Sequence, residues 1–77
     1  MPRLRVISGR KLISIIKKQG FVIGRIKGSH VILNCPDQKD VVVVPLHKEL
    51  DIGTLASILK KISPYLTSDF IKENFFK

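Results

Sequence analysis

The sequence predicts an α+β domain: a helix, three antiparallel strands and a second helix, with both helices on one face of the sheet and a short helix added at the C-terminus. Three observations carry this prediction. Apolar residues recur at helical spacing in two separate segments, within 9–20 and 52–62. Between those segments lie three short β-prone runs divided by turn-forming residues. Residues that start or stop helices (Ser8, Gly20, Asp51 and Ser63-Pro64) stand at the segment ends. The chain of 77 residues is expected to form one domain over 1–77, with no internal repeat or linker.

Residues 1–7 are a basic lead-in, able either to form a short strand or to lie on the surface. Ser8 reads as the N-cap of a helix through GRKLISIIKKQG. Leu12, Ile15 and Ile16 make its apolar stripe, Lys17 and Lys18 face away, and Gly20 ends it. FVIGRIK (21–27), HVILNC (30–35) and VVVVP (41–45) follow as strands. Gly28-Ser29 suits a tight two-residue turn, and PDQKD (36–40) a longer one. Pro45 closes the third strand because it has no N–H to give to a ladder.

After the loop LHKELD (46–51), Asp51 reads as the N-cap of IGTLASILKKI. In that helix Leu55, Ile58, Leu59 and Ile62 repeat at helical spacing until Ser63-Pro64 stops it. Thr67 or Ser68 then caps a last short helix bearing Phe70, Ile71, Asn74 and Phe75. Both main helices must bury a stripe, and the sheet is the surface that can receive it.

Strand alternation puts Val31, Leu33 and Cys35 on one face and His30, Ile32 and Asn34 on the other. On the first strand the same alternation sets Val22 and Ile26 opposite Phe21, Ile23, Arg25 and Lys27. With helices over Val31 and Leu33, His30 falls on the open face near Arg25 and Lys27. Phe21, Ile23 and Ile32 are then expected to form an apolar patch there. This placement depends on the two-residue turn, since a slip of one residue reverses every face.

Fourteen Lys and Arg against six Asp and Glu give a net charge of +8, which points to a polyanionic partner, nucleic acid above all. One cysteine, Cys35, leaves no internal disulfide and fits a reduced, cytoplasmic setting. Arg3, Arg5, Arg10 and Lys11 interrupt any signal-peptide core, and the longest apolar run, Val41–Leu46, is too short for a bilayer. No membrane partner is expected.

The six acids are scattered, so a two-metal nuclease is not predicted. Two histidines and one cysteine do not make a zinc spacing. Gly20, Gly24 and Gly28 fall at a helix end, in a strand and in a turn rather than in a phosphate-binding loop. Neither a metal nor a small-molecule cofactor is expected. That leaves His30 and His47. A lone histidine at a strand end is ordinarily a structural polar residue. His30 differs in following a Gly-Ser turn with cationic neighbours, and imidazole exchanges protons near neutral pH. Metal-free RNA cleavage needs little more: a base for the 2′-hydroxyl, an acid for the leaving 5′-oxygen, and cations on the phosphate. His30 fits either proton-transfer role. Spacing alone favours a surface role for His47.

The ordered set of Gly20-Phe21, Gly28-Ser29-His30, VVVP with Pro45, His47-Lys48 and GTLASIL (53–59) resembles the HicA family. Those proteins are small mRNA-interferase toxins of type II toxin–antitoxin systems, active in stress responses, with a fold like a double-stranded-RNA-binding domain. The resemblance covers roughly residues 8–62. It implies a hydrolase, an endoribonuclease that cuts mRNA with one catalytic histidine, a role that carries over to His30. It also implies a HicB-type antitoxin covering the active surface. The chain departs from the family in having Val31 where many members carry a second histidine, and in its tail SDFIKENFF.

Under this reading Arg25 and Lys27 are phosphate contacts, and Gly28, Ser29, His47, Lys48, Lys60 and Lys61 are further candidates for RNA binding. The alternative is a non-catalytic RNA-binding module of the same fold, in which His30 has no chemical task. A DNA-binding role ranks third, for want of a recognition-helix motif.

Overall fold

The computed structural model describes residues 3–77, so the first two residues of the basic lead-in lie outside the described residues. The element order is α1 (Gly9–Lys17), β1 (Val22–Lys27), β2 (His30–Asn34), β3 (Val41–Pro45), α2 (Ile52–Ile62), a 3-10 turn (Ser63–Tyr65) and α3 (Ser68–Phe75). This is the predicted α+β order. The sheet runs β1-β2-β3, antiparallel throughout, and α1 and α2 both pack against β3.

Each helix begins on a side-chain cap that satisfies a backbone N–H the helix itself leaves unpaired. The Ser8 hydroxyl accepts from Lys11 N–H at 3.0 Å, the Asp51 carboxylate from Thr54 N–H at 2.9 Å, and the Thr67 hydroxyl from Phe70 N–H at 3.1 Å. The first helix stops at Lys17, short of the expected Gly20, yet Gly20 is the stop signal. It sits at φ +95°, its N–H donates to the Lys17 carbonyl, and Phe21 N–H reaches back to Ile16. That 5→2 and 6→1 pair is a Schellman ending, which needs a residue tolerant of positive φ.

Leu12, Ile16, Phe21, Leu33, Val44, Leu55, Ile62 and Phe75 are the heart of the core. Phe21 and Tyr65 meet edge to face, 5.5 Å between ring centres. Phe75 comes from the C-terminal tail, so the appendage is part of the core. Leu4 and Phe76 form an antiparallel bridge, extended by backbone hydrogen bonds between Arg3 and Lys77 and from Arg5 N–H to the Phe75 carbonyl. The basic lead-in thus takes the short-strand option, paired with the other end of the chain.

One expectation fails. Strict alternation along 21–27 set Phe21 and Ile23 on the open face. The register shifts between Ile23 and Arg25: Ile23 faces Leu33, while Arg25 faces Ile32 and Ile26 faces Val31. A β-bulge at Gly24 adds a residue and turns the strand over. Phe21 is therefore buried and Ile23 half-buried against the helices. Gly24 leaves room for the crossing, since a Cβ there would lie 2.8 Å from the Asn34 amide nitrogen. Arg25 and Lys27 keep their expected place on the open face and Ile26 its place on the helix side, whereas Val22 moves to the open face.

Candidate functional site

The site begins with the turn between β1 and β2. Gly28 has φ +59° and Ser29 does not share the positive value, the pattern of a type II′ turn with glycine in its first central position. Such a turn matches strand twist and fixes register, so Lys27 and His30 stand directly opposite each other. The Ser29 carbonyl accepts from Leu46 N–H at 2.7 Å, tying the turn to the chain just past β3. On its other side His30 faces Pro45. The Lys27–His30–Pro45 row thus crosses all three strands at one end of the sheet.

Arg25 is two residues from Lys27 on the same face and diagonal to His30, within reach of a long side chain. Arg25, Lys27, Gly28, Ser29 and His30 are all exposed. Among the described residues the one ion pair is Lys61 with Asp40, so Arg25 and Lys27 present uncompensated charge. Apart from Asn34, between Val22 and Val41, the rest of the open face is apolar: Ile32 and Val43 face each other, and Val22, Val41 and Val43 are 61%, 40% and 44% exposed. Together these side chains make a cationic end and an apolar body on one uncovered sheet face. Motifs in the sequence signal the cationic end, whereas the valines of the body follow from the bulge and the register.

His47 and Lys48 lie in the loop two and three residues past Pro45, both exposed. The His47 carbonyl accepts from Gly9 N–H, and its ring neighbours Asp51. The Asp51 carboxyl is held below the usual carboxylate range, chiefly by hydrogen bonding from Thr54, with a smaller contribution from His47. Lys60 and Lys61 belong to the last turn of α2 and do not join His30. The Lys61 ammonium is 3.4 Å from Asp40. Asp40 precedes the Asn34–Val41 pair, and that pair is four residues along the strand from the His30–Pro45 pair, about 13 Å.

A second polar cluster lies at that far end. The Tyr65 hydroxyl donates to the Asp37 carboxylate at 3.0 Å, and Lys39 N–H donates to the same carboxylate. Burial and the Asp37 hydrogen bond push the tyrosine up to about 12. Cys35, just past β2, is buried, and burial pushes its thiol up, which keeps it protonated and unreactive. Among the described residues no three His, Cys, Asp or Glu side chains are placed to share a metal ion, and no helix is long and apolar enough to cross a membrane.

A family model described as "HicA toxin of bacterial toxin-antitoxin" matches residues 9–63. No curated protein and no solved structure matches the chain.

Proposed function

The chain belongs to the HicA toxin family of bacterial toxin–antitoxin systems, and from that premise we propose that it is a metal-independent endoribonuclease that cleaves mRNA at His30. The observation that carries this reading is the pairing of His30 with Lys27 across a turn of fixed geometry, with Arg25 beside Lys27 and diagonal to His30 on an open face.

In the proposed reaction the neutral imidazole of His30 takes the proton of a ribose 2′-hydroxyl. The resulting oxyanion attacks the adjacent phosphorus, and the bond to the 5′-oxygen of the next nucleotide breaks. That oxygen leaves with a proton from the imidazolium or from water, and the upstream fragment ends in a 2′,3′-cyclic phosphate. Charge builds on the phosphate oxygens as the phosphorus becomes five-coordinate. Lys27 and Arg25, fixed on the strand beside the acid–base group, oppose that charge without reorganising. The exposed apolar face beside them is a surface for the protein partner that a toxin–antitoxin pair implies.

The experiment is incubation of the full chain with a long single-stranded mRNA in excess EDTA, alongside a folded His30→Ala variant. Fragments ending in cyclic phosphate from the native chain, and none from the variant, are expected. RNA binding by both without fragments from either would reduce the protein to a binding module. Equal cleavage by both would leave the chemistry to another residue.

A further inference from the structure

The bulge in β1 has a consequence on the side of the sheet away from His30. By turning Ile23 toward the helices, it puts Ile23 on the same side as Ile26, at the edge between α1 and β1. Between the two elements runs a groove of about 520 Å³. Ile13, Ile23 and Ile26 contribute to its floor, and Arg10, Lys17 and Lys18 to its rim. No acidic side chain lines it, and α1 carries none. Ile26 is 62% exposed there, although it sits on the helix side of its strand.

An apolar floor under an all-cationic rim calls for an occupant with apolar and acidic groups side by side. RNA supplies the negative charge but suits the floor poorly, because bases splayed from a single strand are held by aromatic stacking and no aromatic residue lines this groove. A polypeptide fits better. It is not expected as an added strand, since the bulge between Ile23 and Arg25 breaks the hydrogen-bonding edge of β1. A helix laid into the groove needs no edge: apolar residues at i, i+3 or i+4 and i+7 meet the isoleucines, and carboxylates on its flanks meet the rim.

We propose that the groove between α1 and β1 docks an acidic amphipathic helix of the chain's protein partner in the toxin–antitoxin pair. The inference rests on the toxin reading for the existence of that partner, and on the groove alone for the place and chemistry of docking. It separates anchoring from the His30 face, which lies on the opposite side of the same strands.

The test measures the affinity of the full chain for its antitoxin by calorimetry, with hydrogen exchange on the complex. Ile26→Glu is expected to weaken binding at least 30-fold while leaving RNA cleavage intact. Combined Arg10→Glu, Lys17→Glu and Lys18→Glu is expected to weaken it at least tenfold and to flatten its salt dependence. Those three positions are fully on the surface, so the charge test stands even if Ile26→Glu impairs folding. Protection in the partner should fall on an acidic helical segment. Unchanged affinity in both variants, a protected partner strand, or loss of RNA binding in place of partner binding would each overturn the proposal. Failure of the native chain to bind any antitoxin would instead overturn the toxin partnership on which it rests.

Discussion

Gly9 lies so close to the carbonyl of Pro45 that a Cβ on residue 9 would overlap that oxygen and come within 3.2 Å of the Leu46 Cα. The first residue of α1 is thereby seated on the end of β3, next to the residue that faces His30. Gly9 N–H also donates to the His47 carbonyl at 2.9 Å.

Gly9→Ala separates two opposed effects. Helix propensity favours alanine over glycine by up to about 1 kcal/mol. The contact opposes it, because the obstruction is backbone that cannot rotate aside, and overpacking of this kind costs about 1–3 kcal/mol. The variant is expected to be less stable in urea unfolding. Its RNA cleavage is expected to lose kcat more than KM, because a displaced Pro45 shifts the strand end beside His30. A rise in the urea midpoint would show that the helix seat yields without cost.

Lys27 and Lys61 are both surface lysines on a basic protein, yet they are expected to differ sharply. Charged hydrogen bonds contribute about 1.5–3 kcal/mol, so Lys27→Met should lower kcat/KM for RNA cleavage roughly 10- to 100-fold. Lys61 pairs with Asp40 at the far end of the sheet, an exposed pair of the kind that contributes at most about 1 kcal/mol. Lys61→Ala should change cleavage less than twofold. A loss equal to that of Lys27→Met would extend the RNA footprint along α2.

The single tyrosine of a chain without tryptophan makes the far-end cluster directly observable. Tyr65 is pushed up to about 12 by burial and by its hydrogen bond to Asp37. Absorbance near 295 nm should therefore titrate well above the ordinary phenol value of about 10. The folded state holds the proton more tightly than the unfolded one, so this contribution to stability is complete below about pH 10 and is lost as pH rises through 12. Asp37→Asn removes a neighbouring carboxylate and should lower the midpoint. A native midpoint near 10 would mean that the hydroxyl is free in solution.

The helices were legible because their signals are local. Ser8, Asp51 and Thr67 cap from the side chain onto a backbone N–H three residues on, a relationship confined to one turn. The turn at Gly28-Ser29 likewise fixed the pairing of Lys27 with His30 from two residues alone. Alternation on β2 held because no residue is added or lost within it. On β1 it failed at Gly24, and an isolated glycine inside a strand is the one sequence sign of a bulge. The pairing of Leu4 with Phe76 had no local sign, since it joins segments at opposite ends of the chain. The groove beside α1 was hidden for the same reason as the bulge that opens it.

The tail beyond the family match supplies the last test. Residues 67–77 follow the matched segment 9–63, which by itself suggests a dispensable appendage. The packing says otherwise. Phe75 is fully buried in the same cluster as Leu12, Leu33 and Leu55, and the backbone on either side of Phe76 is bonded to the N-terminal segment. Removing a buried phenylalanine side chain costs about 3–5 kcal/mol, a large share of the roughly 5–15 kcal/mol that holds a native domain together. Phe75→Ala should therefore lower the melting temperature by more than 10 °C, at about 4–8 °C per kcal/mol for a domain of this size. Phe76→Ala, at a half-buried position, should do distinctly less. Because the tail is far from the Lys27–His30 pair in sequence and anchors the core rather than the turn, Phe75→Ala protein that remains folded at low temperature should still cleave RNA. A variant with native stability would show that the core closes without the tail, leaving α3 free for another task.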